Sequence, residues 1–278
     1  MTFDYYETFD RNVGMLTREE IERVRRFHVG IAGQGGVGGN YLLALTRMGF
    51  EKFTILDGDT FDASNSNRQV GATLSTIGRL KVDVMKEMAE SINPNVKIRA
   101  LPERFGPKTA DFFFDGLDFT INAIDYLSAG IYESLHDGAR KRGLYSVTVS
   151  PFGYGASMTM FGPETPSFAE CFGMRPDDDE VTRLRKFWRA VTPARLPHAY
   201  IPGDWLNPQP PKENIRIAAV NPCIYLATAM ASAEVLLTLL KKRPPVLAPN
   251  VLQIDLLTRA MAYTPVSAPY AIVPNTAR

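Results

Sequence analysis

The segment Asp57-Gly58-Asp59-Thr60-Phe61-Asp62-Ala63-Ser64-Asn65-Ser66-Asn67-Arg68-Gln69 holds the densest set of reactive side chains in this chain. Two acids, Asp57 and Asp59, open it, and a polar cluster of Asn65, Asn67, Arg68 and Gln69 closes it. A carboxylate at the end of a strand accepts hydrogen bonds from ribose hydroxyls, and a guanidinium is a planar donor fork suited to phosphate oxygens. Upstream lies a G-x-G-x-x-G turn built on Gly33, Gly35, Gly36 and Gly38. Glycines there let the backbone approach a phosphate, and the start of the following helix favours negative charge. Downstream, Lys81 adds a second cation and Asp125 a further carboxylate. A ribose acid with cations beside the phosphates suggests chemistry on the nucleotide itself, with ATP cut at its α-phosphate. A nicotinamide- or flavin-dependent oxidoreductase is the alternative, but it gives Arg68, Lys81 and Asp125 no obvious work. A lone carboxylate facing a triphosphate is costly unless a cation intervenes. The role read for Asp125 is therefore to hold Mg²⁺ with water completing the shell; capping the next helix is the competing role.

These residues need a frame. Thr17 and Glu20 have the spacing of a capping box, which predicts a short charged helix to about residue 26. Residues 28–32 read as a buried strand, 40–48 as a helix stopped by Gly49, and 53–57 as the next strand, a β-turn-α-β unit. Further strands are expected over 97–101, 119–125 and 144–150, with helices over 77–92 and 127–141. A strand over 155–161 continues the sheet, in antiparallel sense. The fold class is thus α/β: a doubly wound, Rossmann-like, mostly parallel sheet extended by antiparallel strands. One domain spans 1–278. Residues 163–214, rich in Pro, Asp and Arg, form an irregular crossover insertion with a basic helix over 181–191. An apolar helix over 222–242 and a strand over 251–257 follow, and 259–278 reads as a tail.

Bulk properties exclude several classes. Lys and Arg number 31 against 30 Asp and Glu, so no global field exists to hold nucleic acid or an anionic membrane. The two cysteines, Cys171 and Cys223, form no CxxC pair, so neither a disulfide framework nor a thiolate zinc site is expected. The acidic, aromatic N-terminus is unlike a signal peptide, and the apolar run over 224–240 is interrupted by Ser232 and Glu234. A cytoplasmic location is the expectation. Cys171 stands where a thiol nucleophile could fall, but such a thiol needs positive charge nearby, and a packing cysteine is the plainer reading. Phe112, Phe113 and Phe114 read as core. Arg183, Arg185, Lys186 and Arg189 read as a solvated face, with docking to an acidic partner as the sharper alternative. His198 is given no role.

In this order the motifs resemble the ubiquitin-activating-enzyme-like adenylating family of ThiF, MoeB and HesA type. Its signature is a GxGGxG turn, then DxDxxxxSNLNRQ, a Lys on the following helix and an Asp after the fourth strand. Here these are Gly33-Gln34-Gly35-Gly36-Val37-Gly38, Asp57 through Gln69, Lys81 and Asp125. The match covers about residues 8–165. It implies ATP and Mg²⁺ as reactants, nucleotide contacts from Gly33, Gly35, Gly36, Gly38, Asp57, Asp59, Asn65, Asn67, Arg68, Gln69 and Lys81, and catalytic roles for Arg68, Lys81 and Asp125. Phe9-Asp10-Arg11-Asn12 resembles the family's R-x-x-R-Q entry, which implies a homodimer with Arg11 acting on the neighbouring subunit's nucleotide. The implied partner is a small protein or peptide with a free C-terminal carboxylate. A tRNA-modifying, cyclising relative is the alternative, and an inactive scaffold a further one. The chain departs from the pattern at Ser66, where Leu is usual, at Tyr126, where Asn is usual, and in lacking the zinc-binding cysteine pairs.

Overall fold

The computed structural model describes residues 3–125, 129–192, 194, 196, 200 and 220–266. Five strands, β1 (His28–Ala32), β2 (Lys52–Leu56), β3 (Lys97–Leu101), β4 (Phe119–Asn122) and β5 (Tyr145–Phe152), lie parallel in the order β3-β2-β1-β4-β5. Three antiparallel strands, β6 (Gly155–Phe161), β7 (Asn250–Asp255) and β8 (Ala260–Pro265), continue the same eight-stranded sheet. The chain winds outward from β1 to β3 on one side and from β4 to β5 on the other. The reversal between β1 and β4 opens a crevice at their carboxyl ends, where doubly wound sheets take ligands.

Helices cover both faces, as the nearly continuous apolar runs of the central strands require. On one face α3 (Gly38–Arg47), α4 (Lys81–Ile92) and α9 (Asn221–Leu239) share a core in which Tyr41, Leu42, Met85, Ala227 and Ala231 are buried. On the other, α5 (Ala110–Phe114) and α6 (Ala129–Lys141) bury Phe113, Phe114, Leu135 and Ala139. Phe112 remains half-exposed beneath the Arg99 guanidinium, 4.5 Å from the ring centroid. Two short N-terminal helices, α1 (Tyr5–Thr8) and α2 (Arg18–Arg26), precede β1. The expected capping box closes α2: Glu20 donates its backbone N–H to Thr17 Oγ1 at 3.2 Å, and Thr17 returns one to Glu20 Oε2 at 2.9 Å. Gly49, at φ +93°, ends α3. α9 is long and apolar enough to cross a membrane by length and composition, yet it lies against β5, β6 and α3 with Cys223, Ile224, Ala227 and Val235 buried.

Several expected boundaries shift. α4 begins at Lys81 rather than at 77, because Gly78 takes a φ of +86° and residues 78–81 run back along Asp59–Phe61 through Gly78 N–H to Phe61 O and Lys81 N–H to Asp59 O. β4 ends at Asn122 rather than 125: Asn122 Oδ1 accepts the N–H of Ile124 at 3.1 Å and turns the chain, leaving Asp125 three residues beyond the strand. The supposed tail begins with β8, paired along its length to β7. The start of the insertion holds α7 (Phe168–Cys171) and α8 (Glu180–Ala190), packed on α6; residues 201–214 and His198 lie outside the described residues. On α8, Arg183 pairs with Glu133, and Lys186 with Asp178 at 2.5 Å, so part of the basic face is neutralised within the chain.

A buried polar chain ties β4, α6 and β5 together. Asn122 Nδ2 donates to His136 Nε2 at 3.3 Å, which leaves the Nδ1 hydrogen for Ser146 Oγ at 2.8 Å. Complete burial pushes the imidazole down to about 3, so His136 is neutral in the folded protein. An unfolded histidine binds its proton near pH 6.5. The stability this group contributes is therefore fully present above pH 6.5 and is lost as pH falls toward 3. The difference in unfolding free energy between wild type and His136→Gln should shrink by about 1.4 kcal/mol per pH unit below 6.5. Urea unfolding at pH 6.5, 5.5 and 4.5 measures this, and a constant difference would contradict the assignment.

Candidate functional site

The glycine turn joins β1 to α3 under tight steric limits. Gly33 has φ +95°, donates its N–H to Leu56 O at 2.8 Å, and would place a Cβ 2.4 Å from Ala123 O. A Cβ on Gly38 would lie 1.9 Å from Gly33 O. Gly35 and Gly36 serve differently. Their missing side chains leave a hollow whose nearest walls are Gln69 Nε2 at 3.8 Å from one, and Ile224 Cδ1 at 3.5 Å and Arg68 Cγ at 3.6 Å from the other. α3 starts with no side-chain cap on its first N–H groups, the arrangement that accepts an anion. Asn40 Nδ2 donates to Gly36 O at 2.7 Å and fixes the loop.

Asp57 sits at the end of β2 and accepts two backbone hydrogen bonds, from Gln34 N–H at 2.7 Å and from Asp59 N–H at 2.8 Å. Burial raises its pKa, opposed by the charge of Lys81 and by those two N–H groups. Asp59 lies beside it and is shared by two cations. Lys81 Nζ is 3.4 Å from Oδ2, and Arg104 Nη2 donates to Oδ1 at 2.9 Å. Burial pushes the Asp59 carboxyl up, but the Arg104 hydrogen bond and the two positive charges outweigh it and hold the group below the usual range. Lys81, the first residue of α4, is only 7% exposed.

The loop 62–69 is shaped by its own side chains. Asp62 accepts Ser64 N–H at 2.8 Å and Asn65 Oδ1 accepts Asp62 N–H at 3.0 Å, so Asn65 holds the turn. Arg68 Nη1 donates to Asn67 Oδ1 at 2.9 Å and to Ser64 O at 3.2 Å, with its stem against Gly36. The side chain of Gln69 is buried, and its Oε1 has no hydrogen-bond partner among the described residues.

The structure thus brings together the glycine turn, Asp57, Asp59, Arg68, Gln69 and Lys81. Asp125 is exposed on the segment after β4, whose Ala123 abuts Gly33, and its charge acts on Arg104. Arg11 is not brought to this site. Its turn is anchored by Asn12 Nδ2 to Met48 O at 3.4 Å, at the opposite end of the ten-residue α3, about 15 Å from the glycine turn. Cys171 departs from the nucleophile reading: it is buried in the cluster of Phe168 and Phe172, and burial, with Asp137 and Glu170, pushes its thiol up to about 11. Nothing in the sequence marks Arg104 or Gln34. Gln34 is the variable position of the glycine motif, and Arg104 stands in a stretch with no motif at all.

A family model for the ThiF family matches residues 9–271. The tRNA threonylcarbamoyladenosine dehydratase of Bacillus subtilis (strain 168) is 38% identical over 125 residues, 45% of this chain and 49% of that protein. The adenylyltransferase and sulfurtransferase UBA4 of Candida glabrata is 32% identical over 103 residues, 37% of this chain and 24% of that protein. The chain spans about half the length, or less, of the curated relatives it matches. In three dimensions it is similar to PaaA, with a TM-score of 0.68 and 16% identity over 96% of this chain and 75% of that one. It is similar also to Escherichia coli MccB solved with ATP, with a TM-score of 0.66 and 15% identity over 91% and 67% of the two chains. At these identities the solved structures establish the fold alone. With the family match running over nearly the whole sheet and the glycine turn, the DxD acids, the SNxNRQ loop and the helix lysine in one place, the chain belongs to the ThiF family of ubiquitin-activating-enzyme-like proteins.

Proposed function

We propose that this protein adenylates a carboxylate with ATP. The observation that carries the reading is the meeting of a buried lysine and two strand-end aspartates beside an uncapped, glycine-lined helix start. Asp57 takes the ribose hydroxyls, the turn from Gly33 to Gly38 takes phosphate, and Arg68 and Lys81 flank the phosphate chain. The hollow at Gly35 and Gly36 fits such a ligand, because a side chain at either position would intrude on it. A carboxylate oxygen attacks the α-phosphorus as the bond to the β-phosphate oxygen breaks, giving an acyl-adenylate and pyrophosphate. The attacking group is ionised at neutral pH, so no general base is required. Charge gathers on the phosphoryl oxygens, and fixed cations supply the stabilisation. Mg²⁺, when bound, would neutralise phosphate charge. Among the described residues no cluster of three or more His, Cys, Asp or Glu side chains forms a site of its own. Asp125 would therefore hold the ion together with phosphate oxygens and water.

The acceptor we assign is the C-terminal carboxylate of a peptide or small protein. The relative UBA4, 32% identical over 103 residues, carries the name adenylyltransferase and sulfurtransferase. A second reading, a carboxylate borne on a tRNA base, is favoured by the 38% identity to a tRNA-modifying enzyme. The near-zero net charge counts against it, since tRNA affinity leans on phosphate neutralisation. ATP–pyrophosphate exchange stimulated by peptides with a free C-terminus, and not by tRNA, is the expected outcome; stimulation by tRNA alone would reverse the assignment.

In that assay Lys81→Ala and Arg68→Ala should each lower exchange by about two orders of magnitude, the usual cost of one charge-stabilising donor. Near-normal exchange in either would remove that residue from the mechanism. Asp125→Asn should shift the Mg²⁺ response to higher concentration, and an unchanged metal titration would remove Asp125 from the metal site. We further propose a homodimer in which Arg11 reaches the partner's nucleotide. Mixing inactive Arg11→Ala and Lys81→Ala proteins should then restore about a quarter of wild-type activity through mixed dimers, each with one intact site. No recovery after subunit exchange would place Arg11 outside the site.

A further inference from the structure

Arg104 is a cation at this edge with no place in the motif. It follows β3, and its stem lies across the Asp57-Gly58-Asp59 turn. A Cβ on Gly58 would meet Arg104 Cγ at 3.3 Å and Arg104 N at 3.4 Å, so the arginine lies close over this turn. Its guanidinium holds one oxygen of Asp59 at 2.9 Å, while Lys81 reaches the other at 3.4 Å. The second distance is long for a charge-assisted bond, which normally falls near 2.7–2.9 Å. The lysine is buried and the arginine side chain is 84% exposed. Without Arg104, one buried ammonium would face the full charge of both Asp57 and Asp59. Asp59 would draw it in, and the residual negative charge would oppose an incoming triphosphate.

We propose that Arg104 is a positioning residue of the nucleotide site: by occupying Asp59, it keeps Lys81 loosely held and available to phosphate. The inference rests on the nucleotide reading above. The charges of Asp57 and Asp125 also act on Arg104, consistent with a shared counter-ion for the acidic edge. On nucleotide entry Lys81 moves from Asp59 to the phosphates while Arg104 stays, so Asp59 keeps a positive partner throughout.

Calorimetric titration of the intact protein with Mg·ATP tests this without needing the acceptor. Arg104→Gln should weaken binding about three- to ten-fold, a modest loss because the guanidinium is mostly exposed and screened, and the loss should shrink in high salt. Arg104→Lys should recover most of it. The deciding comparison is made in an Asp59→Asn background. There Asp59 has no charge with which to draw the lysine in, so adding Arg104→Gln should have little further effect, with unchanged thermal unfolding confirming that each variant is folded. An equal loss in both backgrounds would show that Arg104 touches the nucleotide directly and would overturn the proposal, as would unaltered binding in Arg104→Gln. If the unmodified protein binds no ATP, the nucleotide reading fails first and this inference with it.

Discussion

Three stretches of backbone meet with no room for a single methyl group: the end of β1, the start of α3 and the turn after β4. Gly33, Gly38 and Ala123 make this meeting, with virtual Cβ distances of 2.4 and 1.9 Å to carbonyl oxygens. Everything at the site takes its position from that closure. It points the first turn of α3 at the crevice, and it sets the segment carrying Asp125 against the glycine turn. Through the bond from Gln34 N–H it also registers Asp57 to the same point. On the far side the segment is clamped by Asn122 and by Tyr132, whose hydroxyl donates to Ile124 O at 2.6 Å. A loop held from both sides costs no further ordering when a ligand arrives, which is the physical content of preorganisation.

The electrostatics follow from burial. Lys81 lies in the wall of the crevice with little water to solvate it, and its partners there are the carboxylates of Asp57 and Asp59. A buried cation between two acids is strongly attracted to any anion able to replace them, and weakly if they bind it too well. The 3.4 Å separation from Asp59, and the sharing of that acid with Arg104, put the site in the first regime. Arg68 is held differently, by Asn67 and the Ser64 carbonyl, which fix its stem beside Gly36 while leaving other guanidinium hydrogens to donate.

Much of this was legible in the sequence because it is local. The strand over 28–32 agrees with β1 residue for residue, and the capping box at Thr17 and the stop at Gly49 are set by neighbours a few positions away. What sequence missed depends on distant partners. The helix was expected from 77, but pairing of 78–81 with the Asp59–Phe61 segment displaces its first turn. β4 was extended to Asp125 because nothing in its pattern reveals that Asn122 turns back to cap Ile124. β8 reads as tail because its larger apolar side chains, Met261 and Tyr263, face solvent, so its sequence presents no apolar face to a core. Arg104 was invisible for the same reason: its value lies in an acid forty-five residues earlier, brought near only by the pairing of β2 with β3. Arg11, by contrast, was named by resemblance, and it sits at the far end of α3 from the site of its own chain.

The account depends on a triphosphate lying between the glycine turn and Lys81. A crystal structure of the protein with Mg²⁺ and a non-hydrolysable ATP analogue tests it most directly. The ribose hydroxyls should rest on Asp57 and the phosphates against the N–H groups from Gly33 to Gly38. Lys81 Nζ should have left Asp59 for a phosphate oxygen. A nucleotide bound elsewhere on the sheet, or a Lys81 still on Asp59 with the phosphates out of its reach, would contradict it.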